Sequence, residues 1–364
     1  MAPAAELHVK QPFFSIVMPS RDRPEQMING IASVFQQDFT DYEFILVDNS
    51  TNPATFSKWY SEVAPLVDRR YRYLRSGGLA VRENFEFAFM QARGRYVLML
   101  TDRMVFDAGA LSRFHQQLAH RDLPVMMFAD GEINEPLPER DFRSAINSTP
   151  LSLSGFDNTH ELLEIDSREV ASKNINGESY RERYAGYFTP RFYNTIFANE
   201  FVARIRARYG RLINGGEPDT RMAFQILDML PTVHFYNYLG NLRSSAKGSN
   251  AIEGRESLDV AFNQWSSAST DVKCALGRSP VGVLPLVGLG WYFEWLSVIY
   301  HAQGSLKGLT ATNRAFVRSM ASFLNRYPSD DPRVAGMAAV IMNYADSVDL
   351  DAPVEWDFSV SWDQ

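Results

Sequence analysis

The chain has almost no cysteine. Cys274 is the single one in 364 residues, so no internal disulfide can form, and no Cys–His group has metal-ligand spacing. Its six histidines are scattered, and no two stand at helical i, i+4 spacing. Basic charge is lacking as well: the net charge of -7 argues against a general nucleic-acid binder, which normally carries a basic domain. Long apolar runs are missing. The longest, Val281 to Phe293, contains Pro285 and three glycines and stops at Glu294, short of the roughly 20 residues a membrane-spanning helix needs. The opening "MAPAAELHVKQ" has no apolar signal region. There are no repeats and no low-complexity segments. These absences lead to the expectation of a soluble chain in a reducing, cytoplasmic compartment without a transmembrane segment.

What is present is ordinary globular material, 45% hydrophobic and 22% charged. The length suits about two domains, or one large domain with an appendage. Apolar runs read as strands at "FFSIVMP" (13–19), "YEFILVDNS" (42–50), "YRYLRS", "RYVLMLTD", "LPVMMFAD" (123–130) and "TVHFYNYL". Helical spacing appears in "PEQMINGIASVFQQ", "FSKWYSEVAPLV", "RENFEFAFMQARG", "AGALSRFHQQLAH", "NTIFANEFVARIRARYG" and "GGEPDTRMAFQILDML". Residues 131–190 are polar and irregular, and beyond a Gly/Ser-rich stretch at 242–250 the pattern is mostly helical. Strand–helix alternation with short connections predicts an α/β fold with right-handed crossovers and a mostly parallel sheet.

Ligands of such sheets bind beyond the carboxyl ends of the strands. Three polar clusters fall there: Pro19-Ser20-Arg21, Asp48-Asn49-Ser50 and Asp102-Arg103. Each alone is what a turn uses. Three in succession, in step with the alternation, read as a site.

The residues that carry this pattern resemble a known family. "SIVMPSRDRPEQMINGIASVFQQDFTDYEFILVDNST" is similar to the opening of family 2 glycosyltransferases, and "LAVRENFEFAFMQARGRYVLMLTD" to that family's next block. The resemblance implies the GT-A fold over 13–240 after a lead-in at 1–12. A nucleotide-binding half would span 13–110 and an acceptor half 111–240, with a mainly helical C-terminal region at 241–364. It further implies transfer of a sugar from a nucleotide-diphosphate donor to a carbohydrate or lipid-linked acceptor hydroxyl, with inversion, in bacterial surface-polysaccharide assembly. Contact with the inner face of the membrane would be peripheral.

Carried onto this chain, the resemblance puts Asp48 and Asn49 on the base and ribose, with Pro19 and Ser20 lining the same pocket. Arg82 and Asn84 fall near the base and phosphates. Relatives hold Mg or Mn through two acids where this chain has Thr101-Asp102-Arg103. Asp102 could still hold a divalent metal with waters and phosphates. An adjacent Arg repels a cation, however, and a guanidinium fits phosphate bidentately. Arg103 is therefore expected to neutralise the diphosphate itself, or alternatively to pair with Asp107. The general base falls in "GGEPDTRMAF", with Asp219 first and Glu217 second, although an Asp there also suits a helix start.

Other stretches admit two readings. "LRSSAKGSN" is either a lid carrying Arg243 and Lys247 or a linker. The arginines of "RIRARYGR" either meet a membrane surface or complement a helix end. "VGLGWYFEWLSVIY" reads as a buried helix rather than an interfacial one, and His234 as structural rather than a metal contact. Two rival functions remain: a degenerate binder of nucleotide sugars, kept open by the single acid at Asp102, and a sugar-phosphate nucleotidyltransferase. The latter would want a glycine-rich loop that "PSRDRPEQ" does not supply.

Overall fold

The computed structural model describes residues 11–52, 63–64, 67–133, 158–176, 189–213, 218–244, 257–259, 280–281 and 290–355. Its frame is a nine-stranded sheet in the order β3-β2-β1-β4-β8-β6-β9-β5, with β7 paired to β9 off that path. The strands are β1 (Phe14–Ser20), β2 (Tyr42–Asp48), β3 (Tyr71–Arg75), β4 (Tyr96–Met99), β5 (Met104–Phe106), β6 (Val125–Ile133), β7 (Leu162–Asp166), β8 (Thr195–Ala198) and β9 (Thr232–Ser244).

β3, β2, β1 and β4 form a continuous parallel block. Their crossovers contain α1 (Pro24–Phe35) and α2 (Val81–Met90). Every residue of β1, β2 and β4 is buried. Burial of both faces makes these strands unbroken apolar runs rather than alternating ones. The block is tied at its far end by Glu43, which accepts from the Ser15 hydroxyl (2.7 Å), Arg72 (2.8 Å) and the Arg93 amide (2.8 Å). Gly94 sits against the β1 backbone, and a Cβ there would lie 2.6 Å from the Ser15 nitrogen. The glycine is required by this approach, since α2 has already ended at Met90.

The second half of the sheet is mixed. β8 runs antiparallel to β4 and β6, β6 runs parallel to β9, and β5 and β7 run antiparallel to β9. Thr195–Ala198 had read as part of one long helix. Its β-branched and aromatic residues instead fill a buried strand, and the helix α5 (Asn199–Tyr209) begins only after it. The expected irregular stretch also holds order, since β6 continues to Ile133, and β7 leads into α4 (Ser167–Ile175), capped by Asp166. α3 (Ala110–Leu118) packs its buried Leu111, Phe114 and Leu118 inward. The helix expected at "FSKWYSEVAPLV" lies largely outside the described residues.

Helices continue beyond the sheet, as expected, with α7 (Gly290–Tyr300), α8 (Asn313–Leu324) and α9 (Pro332–Ser347). α7 is mostly apolar and is buried from Tyr292 to Ile299. It lies on α6 (Pro218–Met229), where Trp295 stacks on Phe224 with ring centroids 4.9 Å apart. A buried ion pair, Arg221 to Glu294 at 3.0 Å, joins the same two helices. Thr312 and Asp331 cap α8 and α9. Among the described residues no helix is long and apolar enough to cross a membrane.

Asp228 holds this region to the sheet domain. It is fully buried, pairs with Arg208 at 2.5 Å, and accepts from the backbone amides of Gln303, Gly304 and Leu306. Removing it leaves those donors and a guanidinium without an acceptor. Asp228→Ala is therefore expected to lower unfolding stability by about 3–5 kcal/mol, read from a urea midpoint. A change near zero would show that the 303–306 turn is held by packing alone.

Candidate active site

The tips of the parallel strands meet along one edge. Ser20 and Asp48 are register partners, and the Asn49 amide donates to the Ser20 carbonyl at 2.9 Å. Asp48 is 1% exposed, with one carboxylate oxygen accepting from the Ser50 amide (2.8 Å) and the other from the Tyr73 hydroxyl (2.8 Å). Arg75 stands 3.9 Å from it. Tyr73 and Arg75 were not singled out from the sequence, although the two-residue alternation of "YRYLR" puts them on one face of β3.

Asn49 donates to the Leu79 carbonyl at 2.7 Å. The Ser76 hydroxyl lies 2.6 Å from the amide oxygen of Asn84 and 3.1 Å from that of Asn49. One hydroxyl proton serves one of them at a time, so the pair retains acceptor capacity for a ligand. Both asparagines are buried, at 3% and 1% exposure for Asn84 and Asn49. Arg82, by contrast, is turned to Glu83 at 2.9 Å and is more than one-third exposed, as a solvated helix charge would be.

The turn after β1 is clamped to the turn after β2. The Asp22 amide donates to the Ser50 hydroxyl (3.0 Å), while the Asp22 carboxylate accepts from the Thr51 amide and hydroxyl (both 3.2 Å). Asp22 holds φ 54, an uncommon left-handed conformation for a non-glycine residue that often accompanies function. Arg21 is exposed beside it, 3.6 Å from its carboxylate. Pro19 is buried within β1.

Asp102 is 7% exposed and accepts from the Ser20 hydroxyl at 3.3 Å. Burial pushes its pKa up, and the charges of Arg23 and Arg103 with the Ser20 bond act in the opposite direction. Arg23 is a partner that the sequence did not suggest. Among the described residues no group of three His, Cys, Asp or Glu is placed to hold a metal ion. A lone carboxylate flanked by two guanidiniums suits a divalent cation poorly, because both arginines compete for it. The alternative partner considered for Arg103, Asp107, is engaged by the Tyr238 hydroxyl and by Arg113.

A second charged group lies beside this one. Met104, next to Arg103, is the register partner of Arg243 on β9. Arg243 is therefore a strand residue rather than part of a flexible loop. It stands 3.4 Å from Asp130 on β6, and its guanidinium lies 4.9 Å from the Tyr193 ring centroid. The Tyr193 hydroxyl accepts from Arg191 at 2.5 Å. The Arg191 pKa is raised, first by Tyr193 and then, against burial, by the charges of Asp219 and Asp130. Asp219, in the first turn of α6, thus belongs to a cluster with Asp130, Arg191, Tyr193 and Arg243. One Asp219 oxygen caps Thr220 at 3.0 Å. Of these residues, sequence reasoning had singled out Asp219 and Arg243 alone. Glu217, with the neighbouring Gly215 and Gly216, and Lys247 lie outside the described residues.

The arginines of α5 and of the turn after it are exposed but paired: Arg206 meets Glu86 at 2.9 Å, Arg208 meets Asp228, and Arg211 stands 3.9 Å from Glu83. Arg204 lies over the Phe201 ring. His234 stands opposite Glu164 in the β7–β9 pairing, and burial lowers its pKa.

A parallel block carrying acids and arginines at its tips, joined to a mixed half-sheet with a further acid at a helix start, is the GT-A arrangement. Residues 15–160, less than half of the chain, match the profile described as Glycosyl transferase family 2. WcaA of Escherichia coli (strain K12), named as a glycosyl transferase of colanic acid biosynthesis, is 33% identical over 114 residues. That match takes in 30% of this chain and 38% of the relative, so it reaches well under half of either. In fold, the chain resembles S. aureus TarS 1–349 in complex with UDP-GlcNAc, with a TM-score of 0.50. The likeness covers 94% of this chain and 99% of that one at 11% identity.

The raised pKa of Asp102 has a consequence for stability. Its unfolded form ionises near the ordinary 3.8 and its folded form above that. Below the lower value both states are neutral and burial costs nothing. As pH rises through the folded value, the cost becomes complete. Asp102→Asn should thus raise the melting temperature at pH 7 and leave it nearly unchanged near pH 3. A gain of equal size at both pH values would contradict this.

Proposed function

We propose that the chain transfers a sugar from a nucleotide-diphosphate donor, of the UDP-sugar type, to an acceptor hydroxyl with inversion at the anomeric carbon. Asp48, Asn49 and Asn84 would receive the base and ribose, and Asp102 the ribose or the sugar. Arg103 would face the diphosphate, with Arg23 beside it. At ~4 Å and an effective dielectric near 20, one guanidinium–phosphate pair is worth roughly 4 kcal/mol before desolvation.

The observation that carries the reading is the juxtaposition of two clusters. The donor rim ends at Asp102-Arg103, and the adjoining Met104 pairs in the sheet with Arg243, which belongs to the Asp219 cluster. A base must stand on the opposite side of the anomeric carbon from the departing diphosphate, within reach of the acceptor hydroxyl. Asp219 suits that role better than Asp130. Asp130 is 8% exposed and engaged by Arg243, whereas Asp219 is half-buried and, among the described residues, one of its oxygens accepts from the Thr220 amide at its own helix start.

Two features favour transfer over mere nucleotide-sugar binding: this second acid, and the guanidinium that takes the place of the metal-holding acid. On this reading a divalent metal is dispensable or nearly so. The colanic acid name of the sequence relative and the UDP-GlcNAc bound by the structural neighbour support a UDP-linked donor and a role in surface-polysaccharide assembly. Action at the cytoplasmic face of the membrane, on a carbohydrate or lipid-linked acceptor, is part of the same proposal.

Asp219→Asn should lower kcat for release of UDP from a UDP-sugar panel by about 10²–10⁴-fold, while the UDP Kd stays within about twofold. Retained turnover would remove the base assignment. With the wild-type protein, activity should persist in EDTA; complete loss that Mn²⁺ restores would overturn the arginine reading.

A further inference from the structure

β5 and β7 both pair along the same edge of β9, since β6 occupies the other edge. β5 covers Asn241–Arg243 and β7 covers Thr232–Tyr236. Neither covers Tyr238 and Leu239. At this gap the β6–β9 register also shifts twice, between Phe128 and Ala129 and between Ala129 and Asp130. Such irregularities commonly stand next to binding sites.

A cavity of about 210 Å³ opens there, lined by Asp107, Arg113, Asn158, His160, Tyr238 and Asn241 with two leucines. For scale, a cavity of ~150 Å³ accepts benzene, so this one has room for a single six-membered ring and its substituents. Asn158 (φ 47) and His160 (φ 60) form its rim in left-handed conformations unusual for non-glycine residues. Asn241 is 1% exposed, and its amide oxygen has no hydrogen-bond partner among the described residues. An orphaned acceptor in a polar cavity points to a donor that arrives with a ligand.

We propose that this gap is a saccharide subsite that holds one neutral pyranose ring of the acceptor. The Asp107 carboxylate and Arg113 guanidinium stand 3.9 Å apart, so acceptors and donors lie side by side, as a pair of neighbouring hydroxyls requires. The Tyr238 ring, 5.1 Å from the His160 ring, supplies an apolar face. A phosphate or carboxylate ligand would lie against Asp107, and a wholly apolar one would leave the polar lining unpaired. The subsite communicates with the reaction centre through Asn241, which donates to the Tyr193 carbonyl at 3.0 Å and lies two residues, roughly 7 Å of strand, from Arg243. Its assignment to the acceptor rests on the glycosyl-transfer reading, whereas its ability to hold a sugar does not.

The test is saturation-transfer NMR of the full chain with methyl glycosides of glucose, galactose and N-acetylglucosamine, with UDP binding measured on the same samples. At least one glycoside should bind with a Kd in the millimolar range, about 4 kcal/mol. His160→Gly, which suits the backbone at φ 60, and Arg113→Met at the partly exposed rim should each weaken it tenfold or more, with UDP binding unchanged. Absence of any glycoside response in the wild type, or a response that both variants leave intact, overturns the subsite. A response lost in both variants without any binding of UDP supports the subsite and removes the donor reading.

Discussion

Burial of a carboxylate at the tip of β4 is the constraint around which the site is organised. Asp102 is almost wholly withdrawn from water, and desolvation disfavours its charge. The protein offsets this with two guanidiniums, Arg23 and Arg103, and one hydroxyl, Ser20. Such an arrangement stores positive charge around a small acidic centre, in a place where a polyanion can displace or share it. The left-handed Asp22 and the clamp between the first two turns hold Arg23 in that neighbourhood. Local stability is thereby exchanged for a preformed receptor, a familiar balance at functional sites.

The same logic extends across the sheet. Asp130 and Arg243 are brought together by β6 and β9, and Arg191, Tyr193 and Asp219 by the segment around β8 and the start of α6. Pairing of β5 with β9 fixes the distance between the two charged groups, because Met104 and Arg243 are locked in register. The helices beyond the sheet support this frame from behind. α7 buries its aromatic face on α6, the helix whose first turn carries Asp219, and Asp228 at the far end of α6 fastens the following turn.

How much of this was legible in the sequence depends on the range of the interactions. "FFSIVMP", "YEFILVD" and "RYVLML" announce their strands because both faces are buried, and the polar residues that follow mark the rim. β8 was concealed because "NTIFA" runs into a true helix without a glycine or proline between them. β5 has only three residues, and β7, "LLEID", buries Ile165 alone among its five. Asp48, Asn49 and Asp102 could be found because each ends a local apolar run. Arg23, Tyr73, Asp130, Arg191 and Tyr193 could not, since nothing local distinguishes them from ordinary surface or core residues until distant strands pair. Asp130 even ended the strand read as "LPVMMFAD", which in the structure continues to Ile133. Its role depends on Arg243, more than a hundred residues away.

In the proposed function, arginine side chains rather than a metal cage receive the donor's diphosphate at the Asp102 tip. Calorimetric titration of UDP in EDTA against the wild-type chain and Arg103→Met measures this directly. Binding without metal is expected, with a loss of about 10–100-fold in the variant, the size of a charge-assisted bidentate contact. Equal affinity in the two proteins, or binding that requires added Mn²⁺ in both, would contradict it.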